Sequence, residues 1–216
     1  MVESEVYFDP NEGYVINPKA IKKDFKLGKS EILHILIAWL GITFAFSWNG
    51  FSGIKEMFII LPIILVATGT GFIFHELAHK FSAIYYGAKA QFRMWPLGLG
   101  LAILMALTLG FVFAAPGAVY IWGKNVTRKE NGIISLAGPF ANFIVAIISI
   151  IILFFVNAPF LITLFSTVTY VNAFLGIFNL IPIFPLDGSK VFIWNKLIWI
   201  FSVLAFVLIF IILAFI

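Results

Sequence analysis

Residues 57–79 read MFIILPIILVATGTGFIFHELAH, and two properties of that stretch decide how the rest of the chain is read. Positions 57–74 carry no charge, and a helix of that length covers roughly 27 Å, close to the ~30 Å hydrocarbon thickness of a bilayer. The run then ends in His75-Glu76-Leu77-Ala78-His79, three ionisable groups that are costly at such depth unless they find partners. On a helix, residues four apart share a face, so His75 and His79 can grip one metal ion with Glu76 beside them. Two imidazole ligands plus a carboxylate able to take a proton from water is the H-E-x-x-H arrangement of zinc hydrolases. Histidines satisfied by ordinary core hydrogen bonds are the competing reading, and placement at the end of a membrane-length run counts against it.

The remaining composition agrees with a membrane setting. Of 216 residues, 62% are hydrophobic and 11% charged, with a mean hydropathy of +1.08, a profile of an integral membrane protein rather than a soluble domain. Cysteine is absent, so disulfides, thiolate metal sites and cysteine nucleophiles are excluded together. Any metal must be held by His, Asp or Glu. The net charge of +4 is modest. Its basic residues cluster beside apolar runs, which reads as a topology signal and not as a nucleic-acid surface. No cleavable signal peptide is evident.

Residues 1–31 read as a polar tail, with an amphipathic piece around residues 21–27. Apolar helices are expected over 32–48, 57–80, 133–156, 160–184 and 194–216, joined first by a tight connection over 49–56. Pro62 and the small Gly69-Thr70-Gly71 patch permit close packing or a bend in the second of them. Residues 87–96 alternate as a short strand, 97–115 are apolar and rich in Gly and Ala, and 116–131 are polar. The fold class is therefore an all-α integral membrane protein of five to six transmembrane helices. A re-entrant or short β element separates the H-E-x-x-H helix from the next core helix.

Catalytic zinc normally has three protein ligands and an open position for water, so a third donor is needed. Downstream of His79 the acids are Glu130 and Asp187 alone; upstream lie His34, Glu56, Glu31, Asp24 and the tail acids. Glu130 stands among Arg128 and Lys129 and reads as a solvated loop residue. Glu56 adjoins Lys55 and looks equally exposed, and His34 suits packing near a helix start. Asp187 follows an uncharged run over 131–186 that ends in Asn179-Leu180-Ile181-Pro182-Ile183-Phe184-Pro185-Leu186. Two prolines unwind that backbone, Gly188 permits a sharp exit, and irregular backbone at membrane depth is tolerated where it lines a cavity. The bland alternative is a helix-terminal Asp at the interface.

The pairing of His75-Glu76-Leu77-Ala78-His79 with Asn179-Leu180-Ile181-Pro182 and Asp187-Gly188 resembles the site-2 protease family of intramembrane zinc metalloproteases. Leu136-Ala137-Gly138-Pro139-Phe140-Ala141-Asn142 is similar to that family's Gly-Pro-x-x-Asn element, and the resemblance covers about residues 57–190. It implies one Zn2+ per chain held by His75, His79 and Asp187, with Glu76 as general base. It also implies contacts from Asn142 and Asn179 to substrate or its oxyanion; helix-packing hydrogen bonds are the alternative for each amide. The implied activity is a zinc metalloendopeptidase cutting within or near transmembrane segments of membrane proteins. The chain is too short for the PDZ or CBS domains many members carry, so residues 32–216 are expected to form one membrane-embedded peptidase domain with its core at 57–190. The hydrophobic stretch 97–115 departs from the short strand pair usual there.

Charge gives a separate handle on topology. With the tail cytoplasmic and 97–115 dipping in and returning, only Lys55 of the 14 Lys and Arg lies outside. That arrangement also brings His75 and Asp187 to one depth near the cytoplasmic leaflet of a cell membrane. If 97–115 spans instead, the two fall at opposite faces. The expected partners are thus the bilayer and a transmembrane protein substrate, with no nucleic acid; oligomeric state is not readable. Two other readings compete: a membrane zinc protease using a later Glu, against which Glu130 sits in a basic loop, and a non-catalytic transporter or metal-handling protein, which should show paired repeats.

Overall fold

The computed structural model describes residues 6–9, 13–16, 25–48, 53–110 and 116–216. Among the described residues eight helices follow one another: α1 Lys29–Ser47, α2 Ile54–Thr68, α3 Phe74–Tyr85, α4 Pro96–Leu109, α5 Arg128–Leu153, α6 Pro159–Asn179, α7 Asp187–Trp194 and α8 Lys196–Phe215. A π turn, Gly69–Ile73, joins α2 to α3 without a break. Five stretches among the described residues are long and apolar enough to cross a membrane: Lys29–Ser47, Lys55–Tyr85, Arg128–Leu153, Pro159–Asn179 and Lys196–Phe215. The protein is an all-α membrane protein with two small sheets, as its hydropathy pattern requires.

Packing follows membrane rules. Large apolar side chains such as Ile59, Leu104, Phe155 and Phe201 point outward, whereas Ala38, Ala67, Ala146 and Ala173 are fully buried. Lipid is as apolar as leucine, so helices associate through small residues that let backbones approach and through hydrogen bonds between polar side chains. The Thr43 and Thr68 hydroxyls meet in this way at 2.7 Å, tying α1 to α2.

Strands β1 Val6–Asp9 and β2 Gly13–Ile16 pair as an antiparallel hairpin within the stretch expected to be a plain polar tail. The amphipathic piece read around residues 21–27 lies largely outside the described residues. The tail boundary moves as well: α1 begins at Lys29, and Glu31, read as the last residue of the polar tail, is 1% exposed.

The segment between α3 and α5 departs most from a hydropathy reading. Strand β3 Lys89–Met94 pairs antiparallel with β4 Gly117–Trp122, a strand hidden in the stretch read as polar. Trp95 N–H donates to Pro116 C=O at 2.7 Å. The chain therefore leaves the sheet into α4 and comes back to the same end of it. Fourteen residues of α4 extend only about 21 Å, short of a bilayer crossing. The outer edge of β3 is closed by α1, where Glu31 Oε1 accepts from Phe92 N–H at 2.9 Å and His34 Nδ1 from Met94 N–H at 3.3 Å. An edge covered by helix side chains offers no backbone groups to a stray strand.

Helix α6 stops at Asn179, five residues before the expected 184. Proline clashes with the carbonyl four residues back and disfavours helix in the residue before it, so Pro182 acts ahead of its own position. Residues 180–186 are irregular, and Asp187 opens α7 instead of ending α6.

Candidate metal centre

The α2–α3 rod carries the two histidines in its second half, and the π turn ahead of them begins with Gly69-Thr70-Gly71. Such turns add one residue to a helical circuit and rotate the helix beyond them. The packing is close here: a Cβ at Gly71 would stand 2.9 Å from Leu175 Cδ1, and that side chain would have to shift to admit it. Helix α5 then crosses directly over the imidazoles. A Cβ at Gly138 would collide with His79 Nε2 and lie 2.6 Å from His75 Nε2, so the glycine of the Gly-Pro-x-x-Asn element is required by close approach. Gly188 is equally constrained, since a Cβ there would strike the Leu180 backbone.

His75, His79 and Asp187 converge, the one such group among the described residues that could hold a metal ion. His75 Nε2 lies 3.0 Å from His79 Nε2 and 3.3 Å from Asp187 Oδ2, which is 3.0 Å from His79 Nε2. Three donors each about 2.1 Å from a tetrahedral zinc stand about 3.4 Å from one another, so the group needs little adjustment to take one. The other ring nitrogens are already engaged: His79 Nδ1 donates to Ile134 C=O at 2.7 Å, and His75 Nδ1 donates to Asn142 Oδ1 at 2.5 Å. Outer hydrogen bonds of this kind leave each Nε2 lone pair for a metal. Burial works against the charge of Asp187, yet the His79 and His75 rings hold its carboxyl below the usual carboxylate range.

Glu76 supplies a second test of fit. Its side chain is buried, and Oε2 is the only buried side-chain polar atom among the described residues without a hydrogen-bond partner. Orphaned buried oxygens are rare in folded proteins and concentrate where chemistry is done. The carboxylate lines the same cavity of about 150 Å³ as His75, His79 and Asp187. Pro116, Gly117, Ala118 and Val119 of the β4 region form another wall, with Asn179 and Lys190 at the remaining side. Two imidazoles, a carboxylate and an unpaired carboxylate oxygen around a small cavity suit a zinc-dependent hydrolysis site.

Asn142 is placed differently from the expected substrate contact. It is fully buried, commits its oxygen to His75, and donates Nδ2 to Gly71 C=O at 2.7 Å and Asn172 Oδ1 at 3.1 Å. Its amide is taken up by these three bonds, the helix-packing alternative weighed for it. Asn179 does line the cavity, with Nδ2 donating to Leu175 C=O at 2.9 Å. Of the residues weighed as alternative ligands, Asp24 lies outside the described residues, and the others named lie away from this cluster. His34 bonds Met94, Glu56 is exposed, and Glu130 pairs with Lys124 at 2.7 Å while capping α5 through Thr127.

Three features escape a reading of the sequence. Lys190 Nζ sits 3.7 Å from Asp187 Oδ1, and its spacing of three on a helix is the available signal. Asn172 lies two turns before Asn179 in an uncharged helix, where a lone amide is expensive. Strand β4 gives only the weak alternation of Gly117-Ala118-Val119-Tyr120-Ile121-Trp122.

The chain is 42% identical over 176 residues to "Putative zinc metalloprotease MJ0611" of Methanocaldococcus jannaschii, a match covering 81% of this chain and 90% of that protein. It is 29% identical over 153 residues to "Putative zinc metalloprotease YwhC" of Bacillus subtilis, 61% of this chain and 68% of that one. A third relative, "Putative zinc metalloprotease Rip2" of Mycolicibacterium smegmatis, is 29% identical over 180 residues, 74% of this chain and 68% of its own length. No protein-family model and no solved structure matches the chain.

Proposed function

The chain belongs to the zinc metalloprotease family of these relatives, and from that premise we propose an intramembrane endopeptidase of the site-2 protease type. Its substrates are transmembrane segments of other membrane proteins. The observation that carries the reading is the orphaned Glu76 oxygen beside three converging donors, inside a helix of membrane-crossing length.

His75, His79 and Asp187 are the residues that hold zinc, one ion per chain. Zinc bound there supplies Lewis acidity that brings the pKa of water towards about 7 and polarises a scissile carbonyl. Glu76 does the proton work: it takes the proton the attacking water gives up and returns it to the leaving amine. Burial among apolar walls keeps competing water away from that transfer. Asn179 is the amide positioned at the cavity wall to meet the peptide. A substrate helix must unwind before its carbonyl can be reached, because a helical carbonyl is already hydrogen-bonded.

Return of the chain from α4 to the same end of the β3–β4 sheet supports the re-entrant reading of 97–115. The N-terminal tail is then cytoplasmic, and the metal centre lies towards that leaflet. Cysteines introduced at Lys124 and Lys190 should react with an impermeant thiol reagent from the cytoplasmic side alone, and labelling of the Lys124 position from outside would mean that 97–115 spans.

The direct test is cleavage of a co-expressed library of membrane-protein segments by the wild type and by Glu76→Gln. The wild type should cut a subset of segments within their apolar stretch, and Glu76→Gln should cut none while keeping its zinc. Substantial activity in Glu76→Gln would sink the role given to Glu76.

A further inference from the structure

We propose that Asn172 is a positioning residue for the metal centre: acting through Asn142, it holds the ring of His75 and fixes which nitrogen carries the proton. The inference rests on the reading of His75 as a zinc ligand. Asn142 meets His75 Nδ1 at 2.5 Å, and the two ends of its amide have opposite consequences. An amide oxygen accepts from Nδ1–H and leaves a lone pair on Nε2, the atom facing His79 and Asp187. An amide NH2 in the same place would donate to Nδ1 and drive the proton onto Nε2, where it blocks metal binding.

Backbone carbonyls, which only accept, decide between these ends. Asn172 Nδ2 stands 2.9 Å from Val168 C=O and 3.2 Å from Thr70 Oγ1, so its oxygen is the end that faces Asn142. Asn142 Nδ2 then has two acceptors, Gly71 C=O at 2.7 Å and Asn172 Oδ1 at 3.1 Å. Each link has one chemically allowed orientation, and the chain of bonds runs from α6 through α5 to the metal helix. Both asparagines are fully buried. Without Asn172, one N–H of Asn142 is left unpaired away from water, and an amide held at three points is held at two. The π turn belongs to the same device, since it presents Gly71 C=O and the Thr70 hydroxyl to the two amides.

The chain has three histidines, which makes 15N-histidine spectra of the purified protein in detergent assignable by substitution. In metal-free protein His75 should carry its proton on Nδ1. Asn172→Leu should raise the share protonated on Nε2 and weaken zinc binding, measured by chelator competition, about tenfold, the lower end of the range for residues behind a ligand. Thr169→Val is the control: the residue is as buried and on the same helix, but bonds only Phe165 C=O, and should move neither reading. In an Asn142→Asp background both side-chain oxygens accept, so Asn172→Leu should cost no further affinity. Wild-type tautomer and affinity in Asn172→Leu would overturn the proposal. So would an equal loss in the Asn142→Asp background, which would mark a packing effect. Should the leucine not fit, Asn172→Ala removes the same hydrogen bonds without added bulk and is held to the same outcomes. Zinc retained by His75→Ala would instead overturn the ligand reading; the tautomer shift, read without metal, tells the two failures apart.

Discussion

His79 and Lys80 are neighbours in sequence and belong to opposite kinds of buried polar site. Lys80 points to the α1 side, where its ammonium and the Glu31 carboxylate are each 2% exposed and 2.6 Å apart. Everything there is matched: Lys80 also donates to Lys26 C=O at 3.0 Å, and Glu31 accepts from Phe92 N–H and, at 3.4 Å, from Gly28 N–H. On the other face of the same helix, Glu76 Oε2 has no partner among the described residues, and Lys190 Nζ stands 3.7 Å from Asp187 Oδ1. Burial is costly at both places. The first site uses its matched charges to lock α1, α3 and β3 together, and the second leaves acceptors open over a cavity. Saturation marks a strut; an unsatisfied group marks chemistry.

The largest effects should fall on the open site. His79→Ala and Asp187→Ala should each lower zinc affinity by more than about a hundredfold, beyond what residues behind a ligand contribute, and should abolish cleavage while the protein stays folded. Glu76→Gln should cut the rate by about 10²–10⁴-fold, the usual contribution of a general base, with zinc content unchanged. Metal analysis of purified protein separates the two classes. Loss of zinc in Glu76→Gln would erase the distinction between ligand and base.

At the saturated site the signature should be stability without chemistry. Glu31→Leu leaves Lys80 and Phe92 N–H buried without their partner and should cost about 3–5 kcal/mol. Adding Lys80→Met should recover much of that, because an apolar pair in place of a buried ion pair is often neutral. Unfolding in mixed detergent micelles reads both, and zinc affinity of the folded fraction should not change. A selective loss of zinc in Glu31→Leu would show that the strut and the site are one unit.

Much of this is legible in the chain because each clue is local. Two histidines four apart, an uncharged run of membrane length and paired prolines before Asp187 depend on helix geometry and backbone sterics alone. The end of α6 falls earlier than its apolar run suggests because proline acts on the residues before it. Glu31, Lys80 and Asn172 stay hidden, because the partner that makes each burial tolerable lies 30 to 61 residues away. Nothing in a lone Glu near a polar tail announces a lysine on another helix. Asn142 is legible as a site residue but not in its role, which depends on which end of an amide meets His75. Strand β4 is obscure because a two-stranded hairpin needs its partner strand before its alternation means anything.

A third charged cluster completes the series at its weak end. Glu130 bonds Lys124 Nζ at 2.7 Å and both the N–H and hydroxyl of Thr127 at 2.9 Å, but it does so in contact with solvent at the start of α5. Its partners are as complete as those of Lys80, so if saturation alone set importance, Glu130→Ala and Glu31→Leu would be alike. Water can replace an exposed partner, whereas no solvent reaches a lone Lys80 ammonium. Thr127→Ala, which removes the hydroxyl accepting from Glu130 N–H at 3.2 Å, should cost about 1 kcal/mol, the ordinary worth of a helix N-cap. Glu130→Ala should lower the unfolding midpoint only slightly, and both variants should bind zinc as the wild type does. A zinc deficit on Glu130→Ala with His79→Ala and Asp187→Ala unaffected would transfer the third ligand to this loop, and the convergence of His75, His79 and Asp187 would then need another cause.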